Sequence, residues 1–251
     1  MKIIDAYCGI GPWWTRDKLQ PAEASETLAI MDYCGVDSAL VFSNLLFAPA
    51  WPGDANALVA EAARKQPRFI STFVLAPRPY DDSRKPQDWL PEMRAAGAKA
   101  VWLWPQANRQ GHGLIPWVVD GIFEFCVAHR LPLLLSMEGV EPARIDEICG
   151  DFPQLALVLA GMSYNVDYWL FPLLRRRRQV RACLGQAYIP PLGVERFVRH
   201  FGPERLVFGS GLPFFGPGGL IGHVMYANIP DAAKEQILSG NIEALMREVR
   251  L

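Results

Sequence analysis

Eight short apolar runs recur along this chain, each followed by an amphipathic stretch, and that alternation restricts the fold more than any other feature. The runs cover residues 2–6, 38–42, 69–75, 100–103, 131–135, 155–159, 181–186 and 206–208. Runs of this length suit strands, and Leu131-Pro132-Leu133-Leu134-Leu135, apolar throughout, suits a strand buried on both faces. Helical spacing is expected over 22–34, 54–65, 86–96, 115–129, 142–149, 166–174 and 193–201, with a helical tail over 219–228, 231–238 and 241–249. Gly35 and Gly97 stop two of these helices, where a left-handed residue is favoured, and Asp54 suits an N-cap. Strands alternating with helices pair in parallel through right-handed crossovers. Eight such units close most economically as a (β/α)8 TIM barrel, an α/β fold of about 250 residues. The 251 residues therefore make one domain, 1–251, with a C-terminal helical tail.

Charge and cysteine content narrow the setting. Lys plus Arg number 25 and Asp plus Glu 26, a net charge of −1, so no nucleic-acid partner is expected. With 51% hydrophobic residues and a mean hydropathy of +0.08, the chain is too apolar for disorder. Its five cysteines (8, 34, 126, 149 and 183) form no CxxC and no even framework, which suits the cytoplasm. The opening MKIIDAYCGIG meets Asp5 too early for a signal peptide, and no charge-free apolar stretch reaches about 18 residues, so no membrane partner is expected.

Chemistry in such a barrel sits at the C-terminal ends of the strands. Those ends are 7–9, 43–44, 76–78, 102–105, 136–138, 161–164, 186–188 and 209–214. Several resemble the amidohydrolase superfamily, in particular the amidohydrolase-related barrels that include decarboxylases and lactone hydrolases. Ile4-Asp5-Ala6-Tyr7-Cys8-Gly9-Ile10-Gly11 resembles the opening pattern I-D-x-H-x-H-x-G. Leu131 to Ser136 resembles L-P-x-x-x-H, and Leu157-Val158-Leu159-Ala160-Gly161-Met162 resembles a sixth strand ending A-H. Glu204-Arg205-Leu206-Val207-Phe208-Gly209-Ser210-Gly211-Leu212-Pro213-Phe214 resembles a final strand ending G-S-D, and Ile229 to Asn241 resembles the closing segment.

The resemblance implies a divalent metal such as zinc, held by two histidines of the first strand, histidines of the fifth and sixth, and an aspartate of the eighth. It also implies a homo-oligomer, such as a dimer. This chain carries Tyr7, Gly9, Ser136, Gly161 and Gly211 at those positions. No metal and no other cofactor is therefore expected. Cys8 should point away from the lumen by alternation, and no HxH or HxxxH pair exists elsewhere. His129 and His200 suit helix C-termini, and His223 follows the last strand.

What remains at the strand ends is aromatic with a few polar groups. Trp13, Trp102, Trp104, Tyr164 and Phe214 suit the walls of a pocket for an apolar or aromatic small molecule, or else a core that fills vacated space. Asn44, Arg78, Ser136 and Gln186 are candidate orienting groups for that ligand. Glu138, His112 and Tyr7 are candidate acid–base groups should the barrel retain hydrolase or decarboxylase chemistry without metal. Asp5, expected deeper in the lumen, calls for hydrogen-bond partners. Arg175 to Arg178 suit a solvated helix end or an anion or subunit contact, and Gly216-Pro217-Gly218-Gly219 a turn or a phosphate loop.

Overall fold

The eight apolar runs form eight strands of one parallel sheet, ordered β1 to β8 in sequence. The computed structural model describes residues 1–12, 23–47, 52–75, 84–106, 111–185, 188 and 193–251. The strands are β1 (Ile4–Ile10), β2 (Ser38–Ser43), β3 (Phe69–Val74), β4 (Ala100–Leu103), β5 (Leu133–Ser136), β6 (Leu157–Ala160), β7 (Val180–Leu184) and β8 (Leu206–Phe208). The helices are α1 (Ala24–Cys34), α2 (Pro52–Lys65), α3 (Leu90–Ala95), α4 (Pro116–Ala128), α5 (Pro142–Asp151), α6 (Asp167–Arg176), α7 (Gly193–Phe201), α8 (Pro217–Met225), α9 (Asp231–Glu235) and α10 (Asn241–Glu248). This is the (β/α)8 barrel with its C-terminal helical tail.

Local chemistry explains where the elements depart from their expected limits. β1 extends to Ile10 because Cys8, Gly9 and Ile10 continue the ladder with Val41, Phe42 and Ser43. β5 starts at Leu133, since Pro132 has no N–H to give to a ladder. α2 begins at Pro52, so Asp54 lies inside the first turn instead of capping it. The two tail helices expected over 231–238 and 241–249 are joined by a π-helical turn, Gln236–Gly240. Gly35 ends α1 with φ 72°, and its neighbour Val36 donates its N–H to Met31 O at 2.8 Å. None of the described helices is long and apolar enough to cross a membrane.

Strand alternation divides the core in two. Val101, Leu103, Leu133 and Leu135 pack outward against the helices, whereas Ala100, Trp102, Trp104, Leu134 and Val158 pack in the lumen. Ile242 and Leu245 of α10 join the lumen cluster. Cys8 belongs to the outer layer, as alternation requires.

The β8–β1 closure relies on a side chain as well as backbone. Gly9 N–H donates to Leu212 O at 2.7 Å and Gly211 N–H to Tyr7 O at 2.9 Å. Below these, Asp5 Oδ1 accepts the N–H groups of Ser210 (2.8 Å) and Tyr7 (2.9 Å), and Oδ2 accepts the Ser210 hydroxyl. Asp5 therefore lies at the β1–β8 seam and does not stand beneath Tyr7 in simple alternation. A register irregularity between Asp5 and Cys8 lets Ile4, Ala6 and Tyr7 all face the lumen cluster. Burial outweighs the three hydrogen bonds and raises the Asp5 pKa to about 6.

Candidate ligand site at the barrel mouth

The two halves of the upper lumen are unequal. β1, β2 and β4 contribute Tyr7, Phe42 and Trp102, and Trp104 follows just past the end of β4; their rings touch in sequence. Tyr7 lies 4.9 Å from Trp102, Phe42 lies 4.7 Å from Trp104, and the two tryptophans stack at 4.5 Å. The facing half carries Ser136, Ala160, Gly161, Cys183, Gly209 and Gly211. Large residues opposite small ones are how a barrel lumen fills without voids. Trp102 is 0% and Trp104 1% exposed, so both form the bed of the mouth, with little ring surface open to solvent.

Of the five positions of the expected metal shell, Gly161 and Gly211 approach the Tyr7 ring, and Gly161 also approaches Ser136. A Cβ on Gly161 would stand 3.5 Å from Ser136 Oγ and 3.9 Å from Tyr7 Oη, and one on Gly211 4.0 Å from Tyr7 Cε1. At Gly9 a Cβ would lie 2.2 Å from Asn44 Oδ1 and 3.1 Å from Leu212 O, so no larger residue fits there unless its neighbours move. One phenol, one aliphatic hydroxyl and three glycines are not a donor set for a divalent cation, which takes thiolate, imidazole or carboxylate groups. Among the described residues, no group of three or more His, Cys, Asp and Glu side chains is placed to hold a metal. The residues present do not fit the metal that the resemblance implies.

A polar cluster lies on the other side of the mouth. Gln106 Nε2 donates to Ser136 Oγ at 3.1 Å and to Glu138 Oε2 at 3.0 Å. Ser136 is buried, Gln106 is only 8% exposed, and Glu138 and Gly161 are exposed. Gln106 continues the alternation of Trp102 and Trp104, a signal that could have marked it beforehand. Three buried polar atoms near the strand ends have no partner among the described residues: Gln106 Oε1, Trp102 Nε1 and Asn44 Oδ1. Asn44 spends its amide N–H on Gly11 O at 3.0 Å.

The other candidates fall in different places. His112 is buried, and Nδ1 accepts the Leu114 N–H at 3.3 Å, which assigns the ring proton to Nε2. Burial lowers its pKa to about 4, so it is a neutral donor at neutral pH and a poor general base. Tyr164 is 71% exposed on the rim, and Phe214 packs half-buried against the lumen cluster. Trp13, Arg78 and Gln186 lie outside the described residues. Arg176 and Arg177 pair with Asp146 at 3.1 and 2.6 Å, tying α6 to α5. Gly216 to Gly219 cap and begin α8. His129 Nδ1 bonds Arg250 O, His200 packs on Phe171, and His223 lines a cavity of about 400 Å³ between α7 and α8, so none joins the strand ends.

The fold, with a mouth built from strand ends, defines a (β/α)8 TIM-barrel protein. The amidohydrolase family model matches residues 29–247, and the chain belongs to that family. No curated protein sequence matches it. Among solved structures, an uncharacterised TIM-barrel protein from Bordetella bronchiseptica is 19% identical with a TM-score of 0.73, covering 99% of both chains. A dihydroxybenzoic acid decarboxylase from Polaromonas, solved with manganese and the inhibitor 2-nitroresorcinol, is 14% identical with a TM-score of 0.74, over 98% of this chain and 97% of its own. The 5-carboxyvanillate decarboxylase of Sphingomonas paucimobilis is 16% identical with a TM-score of 0.70, over 98% and 99%. At such identities the likeness is one of fold.

Proposed function

We propose that this chain is a metal-independent member of the amidohydrolase family that binds an apolar or aromatic small molecule at the mouth of the barrel. The observation that carries the reading is the Tyr7 side chain, which lies among Ser136, Gly161 and Gly211 where the family would converge its ligands. The Gln106–Ser136–Glu138 cluster supplies a few fixed polar groups, and the buried rings of Trp102, Trp104 and Phe42 back the mouth as an apolar floor, a composition that suits a small-molecule site. Three unpartnered polar atoms in the same region support it further, since each costs about 1–3 kcal/mol until something bonds to it.

Two compounds bound by structural neighbours, 2-nitroresorcinol and 2,6-dihydroxybenzoate, are suitable first probes. Calorimetric titration, with and without a chelator and with added manganese, tests the reading. Saturable binding of at least one compound, unchanged by chelator or manganese, is expected. Binding that requires manganese, or no binding, would overturn it. Metal-free hydrolysis or decarboxylation is a second reading, favoured by the Glu138 carboxylate bonded into the cluster at 3.0 Å. It predicts turnover of a lactone or aromatic carboxylate that Glu138→Gln abolishes.

A further inference from the structure

The base of the barrel, at the opposite end from the mouth, is closed by α10, whose Ile242 and Leu245 join the lumen cluster. Ion pairs tie this helix to the strand entries on two sides. Lys2, just before β1, pairs with Glu243 at 2.6 Å, and Arg130, in the turn before β5, pairs with Glu248 at 2.7 Å. Each tie joins a barrel cation to an α10 carboxylate. At the entry of β4, which lies between those strands in the sheet, the pattern breaks. There the barrel offers Lys99 and α10 offers Arg247, and the two line one cavity of about 390 Å³ with Ile70, Glu243 and Met246. Among the described residues neither Lys99 nor Arg247 is in an ion pair. We infer that this cavity binds an organic monoanion with an apolar body, a carboxylate-headed amphiphile that bridges Lys99 and Arg247 and so ties α10 to β4.

Charge and floor together decide what fits. Glu243 is the one carboxylate that lines the cavity, and Lys2 already neutralises it. Lys99 and Arg247 are therefore left as like charges facing one space, which repel until an anion stands between them. Helix polarity does not account for Arg247, because the next residue in the same last turn, Glu248, carries the opposite charge. Ile70 and Met246 pack against the lumen cluster, so the floor of the cavity is continuous with the core. A small inorganic anion would neutralise the cations and leave that floor wet. A neutral hydrocarbon or alcohol would cover the floor and leave the cations unpaired. An amphiphilic carboxylate does both, and the volume falls in the usual range of about 300–1,000 Å³ for small-molecule sites. This site is separate from the mouth and does not depend on the function proposed for it.

The test is methyl NMR on the intact chain labelled at isoleucine and methionine, titrated with octanoate, with 1-octanol (the body without the charge) and with acetate (the charge without the body). It is repeated on Lys99→Gln and on Arg247→Glu, which gives Lys99 a direct partner; Arg247 is exposed, so the substitution disturbs no core packing. Saturable shifts of the Ile70 and Met246 methyls with octanoate are expected, with an affinity about tenfold or more above that of either control. Lys99→Gln should weaken octanoate about tenfold and Arg247→Glu should abolish these shifts. Octanoate should also raise the Tm of the wild type and leave that of Arg247→Glu unchanged. Octanol binding as tightly as octanoate, octanoate leaving the Ile70 and Met246 methyls unshifted, or octanoate affinity unchanged in Arg247→Glu would overturn the site.

Discussion

Tyr7 and Gly209 are matched in shape across the β1–β8 seam: a Cβ on Gly209 would stand 2.9 Å from Tyr7 Cβ and 3.2 Å from Tyr7 N. The same Cβ would come within 2.5 Å of Cys183 Sγ. Gly209→Ala should therefore overpack the lumen and lower stability by about 2 kcal/mol. Adding Cys183→Ala removes the nearer clash and should restore part of that loss, since the contact with Tyr7 remains. Denaturant unfolding of the single and double variants measures both effects. Equal stability of wild type and Gly209→Ala would show that Tyr7 is not tightly packed against residue 209.

The Asp5 clamp makes a pH prediction with a definite sign. Folded Asp5 keeps its proton up to about pH 6, whereas its ordinary value is 3.8. The folded chain thus binds more protons between those values, and stability falls as the pH rises through them. The contribution is fully present below about pH 4 and, above pH 6, has dropped by about 3 kcal/mol. Asp5→Asn can still accept the Tyr7 and Ser210 N–H groups, can donate to Ser210 Oγ, and does not titrate. The stability of the wild type minus that of the Asp5→Asn variant should decline from pH 4 to pH 7. Parallel profiles would contradict the clamp.

His112 runs the other way. Its burial holds the imidazole neutral down to about pH 4, below the usual 6.5. The stabilisation is present above pH 6.5 and is lost as the pH falls toward 4, because only the unfolded chain takes up the proton in that interval. NMR titration should show no midpoint for the His112 ring between pH 5 and 8. A midpoint near 6.5 would return it to the candidate acid–base groups.

The two stacked tryptophans differ in one respect. Trp102 Nε1–H is buried without a partner among the described residues, whereas the Trp104 ring sits in the same stack with further interactions. Trp102→Phe removes an unsatisfied donor, so it should be less destabilising than Trp104→Phe by about 1 kcal/mol. Thermal or denaturant unfolding of the two variants decides the order. The reverse order would mean that the Trp102 N–H is satisfied in solution.

Periodicity made the barrel readable, because lumen and helix faces alternate strictly along strands such as β4, where Val101 and Leu103 point out and Trp102 points in. It failed at β1, where a register irregularity sends Asp5 to the seam. Gln106 lies beyond the end of β4, and its place on the 102–104–106 alternation is the signal that would have found it. The substituted metal positions were visible in sequence. What could not be read there is their spacing, since the Tyr7 ring meets Gly161 and Gly211, and Asn44 Oδ1 meets Gly9, only once the barrel closes. His112 has the residue type of a general base, but only its burial and its bond from Leu114 N–H show why it is poorly suited to act as one.

In the proposed function, Tyr7 stands where the family would hold a metal. Elemental analysis of the purified protein, grown and dialysed with zinc and manganese supplied, tests it most directly. Metal content far below one equivalent per chain, and no thermal stabilisation by either ion, are expected. One equivalent of zinc or manganese per chain, lost on replacing residues around Tyr7, would contradict it.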